Sequence, residues 1–72
     1  MDSVTVDVAL RLGWALAGSG TELPDWEWGS GYIDLWPDTD EAEHALCAAI
    51  DADGSLSRKA LTHRGRRGWR IT

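Results

Sequence analysis

Residues 37–54, PDTDEAEHALCAAIDADG, have the pattern of one amphipathic helix. Asp38 is a suitable N-cap because its carboxylate can accept the free backbone N–H groups of the first turn, and Glu41 stands where a capping box places its acid. Gly54 suits the left-handed residue that ends a helix. Apolar residues recur at i, i+3, i+4, i+7 and i+8, which predicts one buried stripe: Ala42, Ala45, Leu46, Ala49 and Ile50.

Residues 4–17, VTVDVALRLGWALA, fit two structures. Apolar residues at every second position from Val4 to Trp14 are typical of a half-buried strand. The second half of the segment is rich in good helix formers, and in a helix Asp7 and Arg11 would pair at i, i+4 with Ser3 as a cap. Helix is the favoured interpretation, and strand remains the alternative.

One short strand is predicted before the central helix, and the segment ahead of it could form another. Residues 26–28, WEW, can form a strand that turns through residues 29–31, GSG, into a second strand at residues 32–36, YIDLW. Aromatic and branched residues favour the second strand, and Pro37 ends it. Ile33 and Leu35 would face one side of it, opposite Tyr32, Asp34 and Trp36.

The C-terminal segment predicts a β-hairpin, in which residues 56–63 and 67–72 pair around Arg64-Gly65-Arg66. Gly65 supplies the positive φ that a tight turn needs. Leu61, Trp69 and Ile71 would face inward. A second helix from Ser57 to about residue 63, forming a helix-turn-helix with the central one, is the alternative. The predicted fold is a small α+β domain: an N-terminal helix (or strand), a short strand, the central amphipathic helix and a C-terminal β-hairpin.

Length and composition predict a single domain over residues 1–72. With 43% hydrophobic and 26% charged residues in 72 positions, the chain resembles an ordinary globular domain with one small core. The lone Cys47 excludes an internal disulfide and argues for a reducing compartment. Acidic residues near the N-terminus are unlike a secretory signal, and no apolar run is long enough to span a membrane. We therefore expect a cytoplasmic protein.

Charge is strongly segregated along the chain. All 12 acidic residues lie within residues 1–54, and the only base there is Arg11. Residues 55–72 contain only basic charges. The net charge is −5. An acidic body with a basic C-terminal segment suggests either contact with another macromolecule or ion pairing within the chain or across a homodimer.

An acidic aromatic segment is the first candidate binding site. The chain has five Trp but no Phe, and so small a core needs only some of the indoles. Exposed Trp residues ringed by carboxylates are typical of a protein-binding surface with aromatic anchors. The residues predicted to bind a protein partner are Trp26, Glu27, Trp28, Asp34 and Trp36.

The basic hairpin is the second candidate site. Its cationic side chains suit phosphate contacts, with Trp69 available for stacking. The residues predicted to contact nucleic acid are Arg58, Lys59, Arg64, Arg66, Arg67 and Arg70. A basic hairpin at this position resembles the wing of winged-helix DNA-binding domains, and the order helix, strand, helix, hairpin is loosely similar to that fold. That resemblance implies a compact nucleic-acid-binding protein.

Catalysis and metal binding have little support in the sequence. His44 and Cys47 lie at i, i+3 on the central helix and His63 could join them at a zinc ion, but structural zinc sites usually have more cysteines. Nothing orients the histidine as a base for the thiol. No catalytic residue, metal or cofactor is predicted.

The leading hypothesis is a non-catalytic adaptor or inhibitor that binds another protein, and the runner-up is nucleic-acid binding by the hairpin. The Ala, Arg, Trp and Gly content suits an accessory protein of a GC-rich bacterium or its phage.

Overall fold

The computed structural model describes residues 1–72, which form two helices and a four-stranded antiparallel sheet. This confirms the predicted α+β fold. In chain order the elements are α1 (Ser3–Ser19), β1 (Asp25–Gly29), β2 (Tyr32–Trp36), α2 (Asp40–Ala52), β3 (Arg58–His63) and β4 (Arg66–Ile71). The strand order is β1-β2-β4-β3, so β2 and β4 are central while β1 and β3 form the edges.

The central helix α2 forms as predicted but is capped by other residues. Thr39, not Asp38, is the N-cap, and its hydroxyl accepts a hydrogen bond from the Ala42 N–H at 3.0 Å. Asp38 instead accepts from Arg66 at 2.9 Å. At the C-terminal end Asp53 adopts an extended conformation, so Gly54 is not a left-handed cap. The Asp53 carboxylate accepts from the backbone N–H and hydroxyl of Ser55, which stabilises the exit from the helix.

Residues 4–17 are helical, which resolves the ambiguity of this segment. Asp2 is the N-cap of α1 in place of Ser3, and Gly20 ends the helix with a left-handed φ of 69°. Thr5, Val8, Leu12 and Leu16 are buried at intervals of three and four residues. Tertiary packing of this stripe outweighs the alternating pattern that suggested a strand.

The hydrophobic core lies between the sheet and the two helices. Ile33 and Leu35 from β2 and Ile71 from β4 pack against the buried stripes of α1 and α2. Trp69 is packed at the margin of this core. Leu61 was predicted to face inward with them, but it pairs with Gly68 and therefore lies on the opposite face of the sheet.

The C-terminal hairpin replaces the alternative second helix. Arg64 and Gly65 both have positive φ, 53° and 77°, as in the two-residue turns that match the twist of antiparallel strands. The strands leave this turn at His63 and Arg66, so β3 and β4 pair over their full lengths. Along each strand of the hairpin, successive side chains point alternately toward the helices and away from them.

The face of the sheet away from the helices is covered by its own aromatic side chains. The Tyr32 ring packs on Gly29, and the Trp36 ring packs on Gly68. A side chain at either glycine would occupy the space of the ring. This arrangement buries Trp36 to 7% exposure although no helix covers it.

Acid titration is expected to reveal the hydrogen bonds that hold the start of α1. Bonds from the Thr5 hydroxyl and N–H, together with one from Ser30, lower the pKa of Asp2 from 3.8 to about 2. A carboxylate whose folded pKa is depressed contributes stability above its unfolded pKa, and that contribution is lost as the pH falls toward the folded pKa. The Asp2→Asn variant retains a side-chain oxygen that can cap the helix but has no carboxylate to titrate. Between pH 4 and pH 2 its unfolding free energy should therefore fall by less than that of the native chain.

Denaturant unfolding at each pH measures this effect, with Glu22→Gln as the exposed control. Identical pH profiles for Asp2→Asn and the native chain would contradict the prediction.

Candidate protein-binding surface

The two exposed indoles of β1 lie on the helix side of the sheet, at its edge. Trp26 pairs with Leu35 and Trp28 with Ile33, and cross-strand partners share a face of the sheet. Because Leu35 and Ile33 are buried under the helices, both indoles point to that side. They remain 48% and 50% exposed, since β1 is the outermost strand.

The remaining residues of the predicted protein-binding set lie on the other face. Glu27 pairs with Asp34, on the face away from the helices, and forms no ion pair. Asp34 and Trp36 are each only 7% exposed. Arg70 donates to both carboxylate oxygens of Asp34, at 2.9 and 3.0 Å. Of the predicted set, the structure therefore leaves Trp26, Glu27 and Trp28 accessible, on alternate sides of one edge strand.

Most of the basic residues of the hairpin are already paired with the acidic body. Arg58 pairs with Asp51 at 2.8 Å, Arg67 with Glu43 at 3.3 Å and Arg70 with Asp34 at 2.9 Å. Arg66 lies between Asp25 at 3.3 Å and Asp38 at 2.9 Å. Lys59 and Arg64 have no such partner. The segregated charges of the sequence are thus largely brought together by folding.

Hydrogen bonds in two of these pairs shift the pKa values of Asp51, Arg58 and Arg70. Bonds from Arg58 hold the pKa of Asp51 below its ordinary value, and the same bonds raise the pKa of Arg58. The bonds to Asp34 likewise raise the pKa of Arg70. The Arg70 guanidinium also stacks on Tyr32, 3.8 Å from the ring centre. These contacts join Arg58 and Arg70 of the hairpin to other side chains of the same chain.

The region around Cys47 has no arrangement suited to metal binding. No group of three or more His, Cys, Asp or Glu side chains is positioned to hold a metal ion. Asp51, one of the residues near Cys47, is already held by Arg58. Burial raises the pKa of the Cys47 thiol, which lowers the fraction of reactive thiolate at neutral pH.

A shallow cavity of about 490 Å³ lies on the face of the sheet away from the helices. Tyr32, Trp36 and His63 contribute rings to its lining, and Lys59 and Arg70 contribute positive charge. The centres of the Trp36 and His63 rings are 6.2 Å apart. Asp34 and Glu27 place carboxylates in the same cavity, so its charge is mixed.

Sequence analysis missed an exposed apolar surface on α1. Val6, Leu10 and Trp14 are 41%, 58% and 79% exposed and follow one another at intervals of four residues. A helical projection of residues 3–19 separates this stripe from the buried one. The ambiguity between helix and strand concealed that signal, because the same residues alternate along a strand.

Neither helix is long and apolar enough to cross a bilayer. No protein-family model, curated protein or solved structure matches the chain.

Proposed function

We propose that this protein is a non-catalytic binding module that recognises another protein along the free edge of β1. The observation that carries the proposal is the half-exposure of both Trp26 and Trp28 on an edge strand. Indoles that could have filled the core of a Phe-less domain are instead left accessible. Aromatic side chains of this kind dominate the energy of protein interfaces.

Strand addition is the mode of binding that fits this surface. One side of β1 pairs with β2, and the other side has backbone N–H and C=O groups free to pair with an added strand. In strand addition, main-chain hydrogen bonds supply affinity and alternate side chains supply specificity. Residues of an added strand would meet the indoles on one side of the sheet and carboxylates on the other.

The charges of β1 indicate the chemistry of the partner. Asp25 and Glu27 point to the same side of the strand, and Glu27 forms no ion pair. In antiparallel pairing of two β1 strands centred on Glu27, the two Glu27 carboxylates would oppose each other, which is destabilising. A partner strand with apolar residues facing Trp26 and Trp28 and basic residues facing Glu27 fits this edge.

Affinity capture with matched variants tests the proposal. Immobilised native chain, exposed to a nuclease-treated lysate of the source cells, should retain a partner that a Trp26→Ala, Trp28→Ala double variant does not. Truncating interface anchors of this type costs about 2 kcal/mol or more each. We expect Glu27→Lys to weaken retention as well, because it opposes a basic partner.

Trp14→Ala is the control, because it removes the most exposed indole from a different surface. It should leave retention of the partner unchanged. Equal retention by the double variant and the native chain, or no retained partner at all, would contradict the proposal. Far-ultraviolet circular dichroism of each variant verifies that the fold is intact.

Nucleic-acid binding by the hairpin remains the alternative function, with less support. Arg58, Arg66, Arg67 and Arg70 would have to leave their carboxylates to contact phosphate. A net charge of −5 also repels a polyanion. Binding of duplex DNA at low salt with a steep decrease at higher salt would favour the alternative over protein binding.

A further inference from the structure

We propose that the chain forms a homodimer in which the outward faces of two α1 helices pack against each other. The face consists of Ser3, Val6, Leu10, Gly13 and Ala17, with Trp14 beside it. These residues follow intervals of three and four, the spacing of a helix–helix seam. All six are exposed, whereas the opposite stripe of α1 is buried in the core.

Gly13 is an independent indication that this face is covered. A glycine inside a helix is destabilising relative to alanine. Nothing lies within 4 Å of the position a Gly13 Cβ would occupy, and Gly13 has no positive φ. Packing and conformation within the monomer therefore do not require glycine here. A residue without a side chain at the contact allows a second helix to approach more closely.

The charges of α1 allow a second copy of the chain to bind. Asp7 and Arg11 are the only charged residues within α1, and they pair with each other at 3.0 Å. The α1 face is therefore neutral, unlike the acidic edge of β1. Two copies can meet along it without bringing their net negative charges into direct opposition.

An antiparallel arrangement makes the face self-complementary. A two-fold axis near Leu10 places the two Leu10 side chains against each other and sets each Trp14 over the partner's Val6. Trp14 supplies the largest part of the buried area, because a Trp side chain can bury roughly 150–250 Å². With the other side chains of the α1 face, the surface that each chain could bury is on the order of 500 Å². The resulting total of about 1,000 Å² meets the lower limit for a specific interface, so a weak dimer is expected.

This proposal does not depend on the proposed function. The α1 face contributes no residue to the edge of β1, and dimerisation leaves the backbone of that edge unpaired. If both proposals hold, the dimer presents two binding edges. A chain that does not self-associate should still capture the partner when it is immobilised as a monomer. The dimer proposal and the proposed function can therefore fail separately.

Two lysine substitutions test the dimer by analytical ultracentrifugation from about 1 μM to about 1 mM, where a weak complex associates. The native chain should reach twice the mass of one chain as concentration rises. Leu10→Lys should stay monomeric or dissociate at least tenfold more readily. Leu23→Lys is the matched control, because Leu23 is also about half exposed, at 51%, but lies outside α1. It should behave as the native chain.

Gly13→Leu gives a second, independent test. It replaces a poor helix former with a good one at a position with free space, so the thermal unfolding midpoint of the dilute monomer should rise. The same change should weaken the dimer at least tenfold, because the added side chain separates the helices. A native chain that stays monomeric at all concentrations, or equal dimerisation by Leu10→Lys and Leu23→Lys, overturns the proposal.

Discussion

Gly68→Ala is expected to lower the free energy of unfolding by about 2–3 kcal/mol, the upper part of the range for overpacked sites. An alanine Cβ would lie 2.5 and 2.7 Å from Cε3 and Cζ3 of Trp36 and 2.8 Å from the carbonyl oxygen of Leu35. The Leu35 carbonyl belongs to a central strand and cannot move freely. The Trp36 ring must therefore leave the sheet, which exposes a large apolar surface.

Chemical denaturation measures this change, with Gly54→Ala as the matched control. Gly54 is exposed, nothing lies within 4 Å of its Cβ position, and its φ is not in the left-handed region. That substitution should alter stability by no more than about 0.5 kcal/mol. A domain of this size has a total stability of roughly 4–11 kcal/mol, so Gly68→Ala should shift the unfolding midpoint clearly. Equal midpoints for the two variants would contradict the packing of Trp36 on Gly68.

Thr5→Val is expected to cost about 1–3 kcal/mol, the cost of leaving buried polar groups unpaired. Thr5 is fully buried, and its Oγ1 accepts a hydrogen bond from the Gly31 N–H at 2.6 Å. The same oxygen lies 2.8 Å from the Gly29 carbonyl oxygen and 2.7 Å from Oδ1 of Asp2, so the hydroxyl can donate its single proton to either acceptor. Valine has nearly the same shape but provides none of these bonds. The substitution therefore separates a polar effect from a packing effect.

Thr62→Val is the control for this substitution, because Thr62 is exposed on β3. It should change the unfolding free energy by about 0.5 kcal/mol or less. Thr5→Val should also increase hydrogen exchange at the turn between β1 and β2, since Thr5 fixes that turn to α1. Because the turn orients β1, partner retention should fall in the same variant. Equal stability of the Thr5 and Thr62 variants would contradict a role for this hydroxyl.

Much of the fold was predictable from local patterns. Of the apolar stripe predicted for α2, Leu46, Ala49 and Ile50 are in the core, whereas Ala42 and Ala45 are exposed. Alternation in YIDLW correctly placed Ile33 and Leu35 on one face of β2. The cap residues were less predictable, because Asp38 and Thr39 are both good N-caps. In the structure Thr39 is the N-cap, and Asp38 instead forms an ion pair with Arg66, a residue distant in sequence.

The candidate site was predictable only in part. The sequence grouped Trp26, Glu27 and Trp28 with Asp34 and Trp36 because all are acidic or aromatic and close along the chain. The sequence of one strand predicts which of its side chains share a face. Which of the two faces packs against the helices depends on the whole sheet. Trp36 is buried because β4 places Gly68 beside it, which no pattern around residue 36 reveals.

The sequence by itself determined the central helix, the strand at residues 32–36 and part of the core, because apolar periodicity and turn residues act over a few neighbouring positions. It favoured the N-terminal helix and the C-terminal hairpin without excluding their alternatives. It also determined that acidic and basic side chains are separated along the chain. Only the tertiary structure decided that most of the arginines meet carboxylates, that β1 is an edge and that α1 has an uncovered apolar face. Those outcomes depend on strand order and helix placement, which join residues that are far apart in the chain.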